Sequence, residues 1–192
     1  MSRRVAIALV HYPVLDRSGE VITTAITNLD LHDMARSACT FGLSDMFVVH
    51  PVTAQRDLCE KVRDHWLVGS GARRIPDRAP PMRLLRIVPS IEQAYDQLGA
   101  GRAHLEVWVT SARPLGSVTS FAAARQTLRQ DGPPVLLVFG TGWGLAPALV
   151  DGADCCLEPI RAAADTGFNH LSVRAACAIA LDRLLGPERR GN

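Results

Sequence analysis

The sequence predicts an α/β protein with a mostly parallel sheet and helices on both of its faces. Apolar runs alternate with helical patterns along the 192 residues. Most of these runs lack polar alternation, which is typical of parallel strands buried on both faces. One hydrophobic core suits this length, so we expect a single domain over residues 1–192. The predicted strands are residues 5–10, 46–49, 84–88, 105–109, 135–139 and 153–157.

The first two predicted helices follow the first two strands. Asn28 or Asp30 can cap the first helix, and Gly42 follows its apolar face as a stop signal. Thr53 begins the second helix. The predicted apolar stripe of that helix is Leu58, Val62 and Trp66.

Three more helices are predicted in the rest of the chain. A capping box at residues 90–93 begins the third, which Gly99 ends. The fourth covers about residues 119–130 and the last about residues 169–185. The last helix is apolar over a broad arc, so we expect it to pack against two neighbours, such as the sheet and a partner subunit. Residues 69–81 are rich in Gly, Pro and Arg and are expected to form a surface loop or flexible insert.

The composition is that of an ordinary globular protein, with 47% hydrophobic residues, 21% charged residues and a net charge of +2. No apolar run has the length of a membrane span, so we expect no membrane partner. Among 21 basic residues only Lys61 is a lysine. Arginine suits phosphate and base recognition, but a GC-rich genome produces the same bias. The five cysteines lack metal-ligand spacing, so we expect no metal and thiols in a reducing cytoplasm.

The most informative short segment is FGTGWGL at residues 139–145, directly after a predicted buried strand. Its alternate glycines allow positive φ angles or a close approach of backbone to a ligand. A dinucleotide site is disfavoured because the spacing is G-x-G-x-G and only residues 146–152 precede the next strand. Glu158 nevertheless imitates a ribose-binding acid, and a plain strand–helix turn is the structural alternative. A phosphate loop is excluded because no Lys-Ser or Lys-Thr follows.

Three segments in order resemble the motifs of the SPOUT RNA methyltransferases. The first is DLHDMARSA at residues 30–38, with VVHP at residues 48–51. The second is the glycine segment at residues 139–145. The third is LEPI at residues 157–160 together with NHLSVRAA at residues 169–176. Each motif alone is weak evidence, whereas the ordered set covers nearly the whole chain.

A narrower resemblance concerns residues 11–14 (HYPV), 19–21 (GEV), 23–24 (TT), 27–30 (TNLD) and 169–174. These segments are similar to a bacterial SPOUT subfamily that occurs alone or fused to a tRNA guanine-N1 methyltransferase. The resemblance implies a C-terminal trefoil knot whose loops hold S-adenosyl-L-methionine. It also implies a cytoplasmic homodimer with active sites at the subunit interface, and an RNA substrate, either tRNA or rRNA.

The resemblance also implies site residues, with some departures from the best-known ribose methyltransferases of the superfamily. Asp30 stands where those have asparagine, Gly142 stands near where they have glutamate, and Asn169 is one residue further from Ser172 than in their pattern. The implied catalytic residues are Arg36, Asp30, Asn169 and Ser172. The implied cofactor-binding residues are Thr110, Phe139, Gly140, Thr141, Gly142, Gly144, Leu145, Leu157, Ile160, Asn169, Leu171 and Ser172.

Structural roles compete with these assignments. Asp30 can cap a helix, Asp33 and Arg36 can form a surface ion pair, and Ser172 can bond back to its own helix. Leu157 and Leu171 can pack in the core.

For RNA binding, the densest basic stretch is Arg73, Arg74, Arg78, Arg83 and Arg86, with a solvated loop as the alternative. We therefore predict a methyltransferase that acts on RNA. A cofactor-binding or RNA-binding module without catalysis, which assists another methyltransferase, is the competing interpretation.

Overall fold

A computed structural model describes residues 3–113 and 115–187 of the chain. Six parallel strands form one sheet in the order β5-β4-β1-β7-β6-β8. All six predicted strands are confirmed, although the last is shortened to two residues. The six strands are β1 (Val5–Val10), β4 (Met46–Val49), β5 (Leu85–Val88), β6 (Glu106–Val109), β7 (Val135–Gly140) and β8 (Cys155–Cys156).

The other elements surround this sheet or connect its strands. A two-stranded antiparallel hairpin, β2 (Val14–Leu15) and β3 (Val21–Ile22), follows β1. Short 3-10 turns cover Pro76–Arg78 and Arg102–His104. The helices are α1 (Asn28–Thr40), α2 (Thr53–Leu67), α3 (Ser70–Arg74), α4 (Ala79–Arg83), α5 (Ile91–Gly99), α6 (Phe121–Leu128), α7 (Pro147–Asp151) and α8 (Val173–Leu185).

The central strands are buried on both faces, as their unbroken apolar sequences predict. In β1, Ile7 and Leu9 belong to one core cluster, which also contains buried residues of α1, α6 and α8. Ala8 and Val10 belong to a second cluster on the opposite face, which contains buried residues of α5. The alternation of side chains along a strand therefore builds two cores, with helices on both faces of the sheet.

The N-cap of the first helix lies one residue before Asn28 and three residues before Asp30, the two predicted caps. Thr27 is the N-cap, and its hydroxyl accepts a hydrogen bond from the backbone N–H of Asp30. Asn28 and Asp30 lie inside the helix, so both predicted caps are wrong. Gly42 ends the helix as predicted, with a φ of +72° that glycine adopts without steric cost.

The stripe predicted for α2 is partly wrong. The helix begins at Thr53 as predicted, and Val62 and Trp66 pack against the core. Leu58 is 44% exposed, and the neighbouring Cys59 is the residue that is fully buried. A small thiol fits the close contact better than leucine does.

Most of residues 69–81 are helical, so the prediction of a surface loop or flexible insert is wrong. They form α3, the first 3-10 turn and the start of α4. Pro76 and two prolines of α4 stand in first turns, where proline is tolerated because no helical partner exists for its missing N–H. Pro81 and Met82 are buried, so apolar packing stabilises the segment.

One predicted cap and two other helix boundaries differ from the predictions. The α5 helix starts after Ser90 as predicted, but the Ser90 side chain makes no capping hydrogen bond. The α6 helix is shorter than predicted because Thr119 pairs with Leu157 in an isolated parallel bridge. The α8 helix begins at Val173, since Ser172 is its N-cap.

Two segments at one end of the sheet are held together by hydrogen bonds. The N–H of Thr119 donates to the carbonyl of Cys156 (2.8 Å), and the N–H of Glu158 donates to the carbonyl of Thr119 (2.9 Å). The Glu158 carboxylate accepts from the N–H of Phe121 at 2.8 Å. Beyond this point the chain reaches α8, which packs against α1 and α6.

We predict that Thr27→Ala lowers the free energy of unfolding by about 1 kcal/mol, because α1 loses its N-cap. Asn28→Ala is the matched control and should change the free energy by only a few tenths of that, since the exposed Asn28 side chain does not cap. Urea unfolding followed by circular dichroism measures both. An equal loss in the two variants would contradict the observed cap.

Candidate functional site

The carboxyl ends of β1, β7, β6 and β8 meet along one edge of the sheet, because neighbouring parallel strands end together. The residues that follow them are His11, Thr141, Thr110 and Leu157. In open α/β sheets ligands bind beyond this edge. Two of the predicted site segments, residues 139–145 and 157–160, therefore lie where a ligand is expected.

The glycine loop is packed tightly against the β2–β3 hairpin. Gly142 and Gly144 have φ angles of +60° and +111°. A Cβ atom at Gly142 would lie 2.8 Å from the carbonyl oxygen of Leu15. The N–H of Trp143 donates to that oxygen (2.9 Å), and the N–H of Leu15 donates to the carbonyl of Gly144 (2.9 Å). Contacts inside the protein thus already require glycine at residue 142.

Side chains connect the glycine loop to the two loops beside it. The Arg113 guanidinium donates to the carbonyl of Trp143 at 3.1 Å. The Asn169 amide donates to the carbonyl of Ala112 at 3.4 Å. The rings of Trp143 and His170 lie edge to face with centroids 6.0 Å apart. These contacts bring residues 111–113, 141–144 and 169–170 together.

The surface around these loops has exposed apolar side chains. Trp143 is 45% exposed, Phe168 is 66% exposed and Leu171 is 46% exposed. Large apolar side chains that lie exposed next to one another are typical of ligand or partner sites. Leu171 therefore lies outside the core, in contrast to the packing alternative.

Several residues of the predicted cofactor set lie deeper than these. Phe139, Leu145 and Leu157 are buried, so plain core packing applies to Leu157. Ile160 is half-buried and packs against the core. The Thr110 hydroxyl donates to the carbonyl of Val138 at 3.1 Å.

A network of hydroxyl and imidazole groups supports the glycine loop from below. The Nδ1 atom of His11 lies 3.0 Å from the Thr24 hydroxyl. The Thr24 hydroxyl lies 2.5 Å from the Thr141 hydroxyl, which donates to the carbonyl of Val10. The Nε2 atom of His50 donates to the backbone carbonyl of Thr24 at 3.0 Å. Sequence reasoning did not find this network, although the threonine pair at residues 23–24 after the first strand was a signal of it.

Burial makes His11 a neutral side chain. Its ring is fully buried, and its Nε2 atom has no hydrogen-bond partner among the described residues. Burial and, to a smaller extent, the neighbouring His50 lower the pKa of His11 to about 4, with Asp30 opposing part of the shift. Burial also lowers the pKa of His50. Protonating either ring would place a charged imidazolium in a buried site, which costs desolvation free energy.

The predicted catalytic residues Arg36 and Ser172 line one surface groove of about 500 Å³, together with Asp33 and Arg174. Arg36 is exposed and forms no hydrogen bond or ion pair within residues 3–113 and 115–187, so the alternative Asp33–Arg36 pair is not formed. The Ser172 hydroxyl accepts from the N–H of Ala175 at 3.2 Å as the N-cap of α8. Its own proton remains available to donate.

Asp30 is held by its neighbours and is not a free base. Its carboxylate accepts from the Arg174 guanidinium at 2.9 Å and from the Thr27 hydroxyl at 2.6 Å. Arg174 also pairs with Asp33 at 3.3 Å. Asp30 therefore joins the start of α8 to the start of α1. Asn169 lies apart from this pair, beside Ala112.

The described residues contain neither a metal-binding cluster nor a membrane-spanning helix. No group of three or more His, Cys, Asp or Glu side chains in residues 3–113 and 115–187 has the arrangement of a metal site. Within the same ranges, no helix is both long and apolar enough to span a bilayer.

A family model described as SAM-dependent RNA methyltransferase matches residues 4–186. The chain belongs to this family. It is 43% identical over 185 residues to a tRNA (guanine-N(1)-)-methyltransferase of Nitratidesulfovibrio vulgaris, covering 96% of this chain and 42% of that protein. It is 35% identical over 190 residues to an uncharacterized protein of Aquifex aeolicus, covering 98% and 92% of the two chains. The chain thus spans about two-fifths of the N. vulgaris relative.

Solved methyltransferase structures have the same fold. TrmJ of Z. mobilis superposes with a TM-score of 0.60 at 18% identity, covering 98% of this chain and 70% of that one. The SpoU methyltransferase AviRb of Streptomyces viridochromogenes also gives 0.60 at 18% identity, covering 96% and 60%. The predicted family and the α/β fold are therefore confirmed.

The residues at the sheet edge fit the S-adenosylmethionine on which this family depends. The ligand carries a planar adenine, a ribose and a cationic sulfonium. The exposed ring of Trp143 and the Phe168–His170 pair offer aromatic faces, which attract cations and stack on bases. The backbone N–H groups of Gly142 and Ile160 make no hydrogen bond within the described residues and can serve adenine or ribose.

We predict that His11 makes folding sensitive to acid. In the unfolded chain His11 becomes protonated below about pH 6.5, whereas in the native state it becomes protonated only below about pH 4. The unfolded state therefore binds more protons in this window, so stability falls as pH falls, by about 2 kcal/mol between pH 7 and pH 5. Urea unfolding at both pH values should show this loss in wild type and a smaller one in His11→Asn. Identical losses would contradict the assignment.

Proposed function

We propose that this chain transfers the methyl group of S-adenosyl-L-methionine to a nucleotide of an RNA, with tRNA as the preferred substrate class. The observation that carries the proposal is the convergence of three loops, at residues 111–113, 141–144 and 169–170, on the carboxyl edge of the sheet. The choice of tRNA rests on the N. vulgaris relative, which is a tRNA methyltransferase.

The proposed cofactor site uses backbone and apolar groups of these loops. Residues 139–145 and 157–160 provide backbone donors, while Trp143, Phe168 and Leu171 cover the bound molecule. The cofactor supplies an electrophilic methyl group, so the protein mainly has to align the nucleophile and exclude water. The C-terminal trefoil knot that the family resemblance implies is part of this proposal, and the hydrogen bonds of Thr119 with Cys156 and Glu158 bring together two of the segments that it would involve. Solved neighbours described as bound to AdoMet, such as the AviRb complex, support the same cofactor.

The proposed catalytic machinery lies in the groove of Arg36 and Ser172. A ribose hydroxyl or a ring imino nitrogen must lose a proton during transfer, so a group that stabilises negative charge is needed. Arg36 is a cation without an acidic partner in the described chain, and Ser172 has a free hydroxyl proton. Asp30 acts through Arg174 as a positioning residue, and Asn169 orders the loop that precedes Ser172.

The proposed working form is a single-domain, cytoplasmic homodimer. Arg36 and Ser172 lie in an open groove, and a partner subunit placed there would exclude water from the reaction. Half-buried alanines of α8, Ala175 and Ala178, line the same groove and allow close helix packing. The five cysteines are all free thiols, as is typical of a reducing compartment.

The competing interpretation is a module that binds cofactor or RNA without catalysis. Membership in a methyltransferase family favours the enzyme. Loss of an interaction made mainly in the transition state lowers turnover more than it lowers cofactor affinity, and this difference separates the two functions.

We predict that Arg36→Ala slows methyl transfer at least tenfold, on the order of the loss expected for one charge-stabilising group, with little change in cofactor affinity. Ser172→Ala should also slow transfer, and Ser172→Asn controls for the helix cap because asparagine caps equally well. Incorporation of tritiated methyl into RNA from cells lacking the gene measures turnover, and calorimetry measures cofactor binding. Tight cofactor binding by a wild type that methylates no RNA fraction would favour the module. Full activity in both alanine variants would overturn the residue assignment.

We predict a dimer in solution. Light scattering at micromolar concentration should report twice the mass of one chain. Ala178→Arg places a long charged side chain in the α1–α8 groove and should shift the population to monomer without unfolding the protein. A monomeric wild type that still methylates RNA would disprove the requirement for a partner.

A further inference from the structure

A second cleft lies beside the proposed catalytic groove, between α1 and the helical segment of residues 70–83. Its volume is about 220 Å³. His32 and Arg36 of α1 form one wall, and the rest is formed by Ile75, Asp77, Arg78, Pro81 and Met82. Arg36 lines both this cleft and the groove that contains Ser172, so the two cavities adjoin at that side chain.

The cleft has the size and the apolar surface for one planar ring. A water molecule occupies about 30 Å³ in the liquid, so the cleft equals roughly seven waters. Pro81 and Met82 form a buried floor, and Ile75 is 44% exposed at the rim. A phosphate alone would gain nothing from these apolar groups.

Cationic and donor groups complete the cleft. The Arg78 guanidinium lies 4.5 Å from the centre of the Trp66 ring, which fixes its plane. The indole N–H of Trp66 donates to Nε2 of His32 at 3.1 Å, so the neutral His32 ring carries its proton on Nδ1. Burial lowers the pKa of His32, and Arg78 lowers it further, so the ring stays neutral at pH 7.

The positive charge of this segment is not compensated. Arg73, Arg74, Arg78 and Arg83 form no ion pair with any residue that the structure describes, and Asp77 is the one acidic residue of the cleft lining. Arginines elsewhere, such as Arg4 and Arg102, pair with carboxylates. Arg86 was part of the basic stretch predicted from the sequence, but it pairs with Asp45 at 3.0 Å, so its charge is compensated.

We propose that this cleft binds an unpaired nucleotide of the RNA substrate, next to the nucleotide that is methylated. The base lies between Ile75, Met82 and the Arg78 guanidinium, and its phosphates lie on Arg73, Arg74 and Arg83. Unstacked bases in RNA are commonly bound on guanidinium planes and apolar side chains in this way. Placement beside the methylated nucleotide rests on the proposed function, because Arg36 is the shared wall.

The test compares two probes of equal charge in fluorescence anisotropy on the full chain. One is a short oligouridylate, and the other is an abasic oligomer with the same number of phosphates. Wild type should bind oligouridylate roughly tenfold more tightly, as expected for one stacked base. Ile75→Ala and Arg78→Gln should both lose this preference. Arg129→Gln, which removes one exposed arginine near the amino edge of the sheet, should keep it.

The outcomes separate this proposal from the proposed function. Equal binding of the two oligomers by wild type, or an unchanged preference in Ile75→Ala, would overturn the nucleotide site. Oligoglutamate binding as tight as oligouridylate binding would overturn it too, because the surface would then recognise charge alone. Calorimetry with S-adenosylmethionine should give the same affinity in all variants. A wild type that keeps the base preference but binds no cofactor would refute the proposed function and leave the nucleotide site standing.

Discussion

The hydrogen bonds of Thr119 with Cys156 and Glu158 are the constraint on which the site depends. They hold β8, a strand of only two residues, at the edge of the sheet beside β6. A strand this short gains little from its own ladder, so Thr119 supplies additional hydrogen-bond partners beside it. The same bonds fix the point at which the chain leaves the sheet. They therefore also fix the position at which the segment of residues 157–172 begins. The proposed cofactor-binding segment at residues 157–160 is thus ordered by the strand connections.

A second constraint joins the proposed catalytic groove to this edge. The ion pair of Arg174 with Asp30 connects the first turn of α8 to the first turn of α1, and Thr27 bonds to the same carboxylate. Asp30 is buried, so removing Arg174 would leave an uncompensated buried charge, a change that costs roughly 3–5 kcal/mol in other proteins. The pair therefore sets the distance between Arg36 and Ser172, which lie on the two joined helices.

The sequence predicts the sheet well and the local helix ends less well. Unbroken apolar runs such as residues 135–139 indicate strands that are buried on both faces. All six predicted runs contain strands of the sheet. The prediction of a loop at residues 69–81 was wrong because the Gly and Pro residues there disfavour a helix locally. Burial of Met82 against distant helices overrides that preference, and no short-range pattern reveals such contacts. Thr27 was missed because Asn28 and Asp30 are equally good caps by residue type.

The candidate site shows the same division between local and distant information. The motifs located the loops at residues 139–145 and 157–160, and the fold places both at the carboxyl edge of the sheet. The glycines were predicted to allow either ligand approach or positive φ angles, and Gly142 has a φ of +60°. Its position is also fixed by the carbonyl of Leu15, 127 residues earlier in the chain. A glycine loop held by a hairpin on one side and by the His11–Thr24–Thr141 network below has little freedom to rearrange. Such a loop presents its backbone donors in one geometry before any ligand arrives, and preorganisation of this kind reduces the entropy lost on binding.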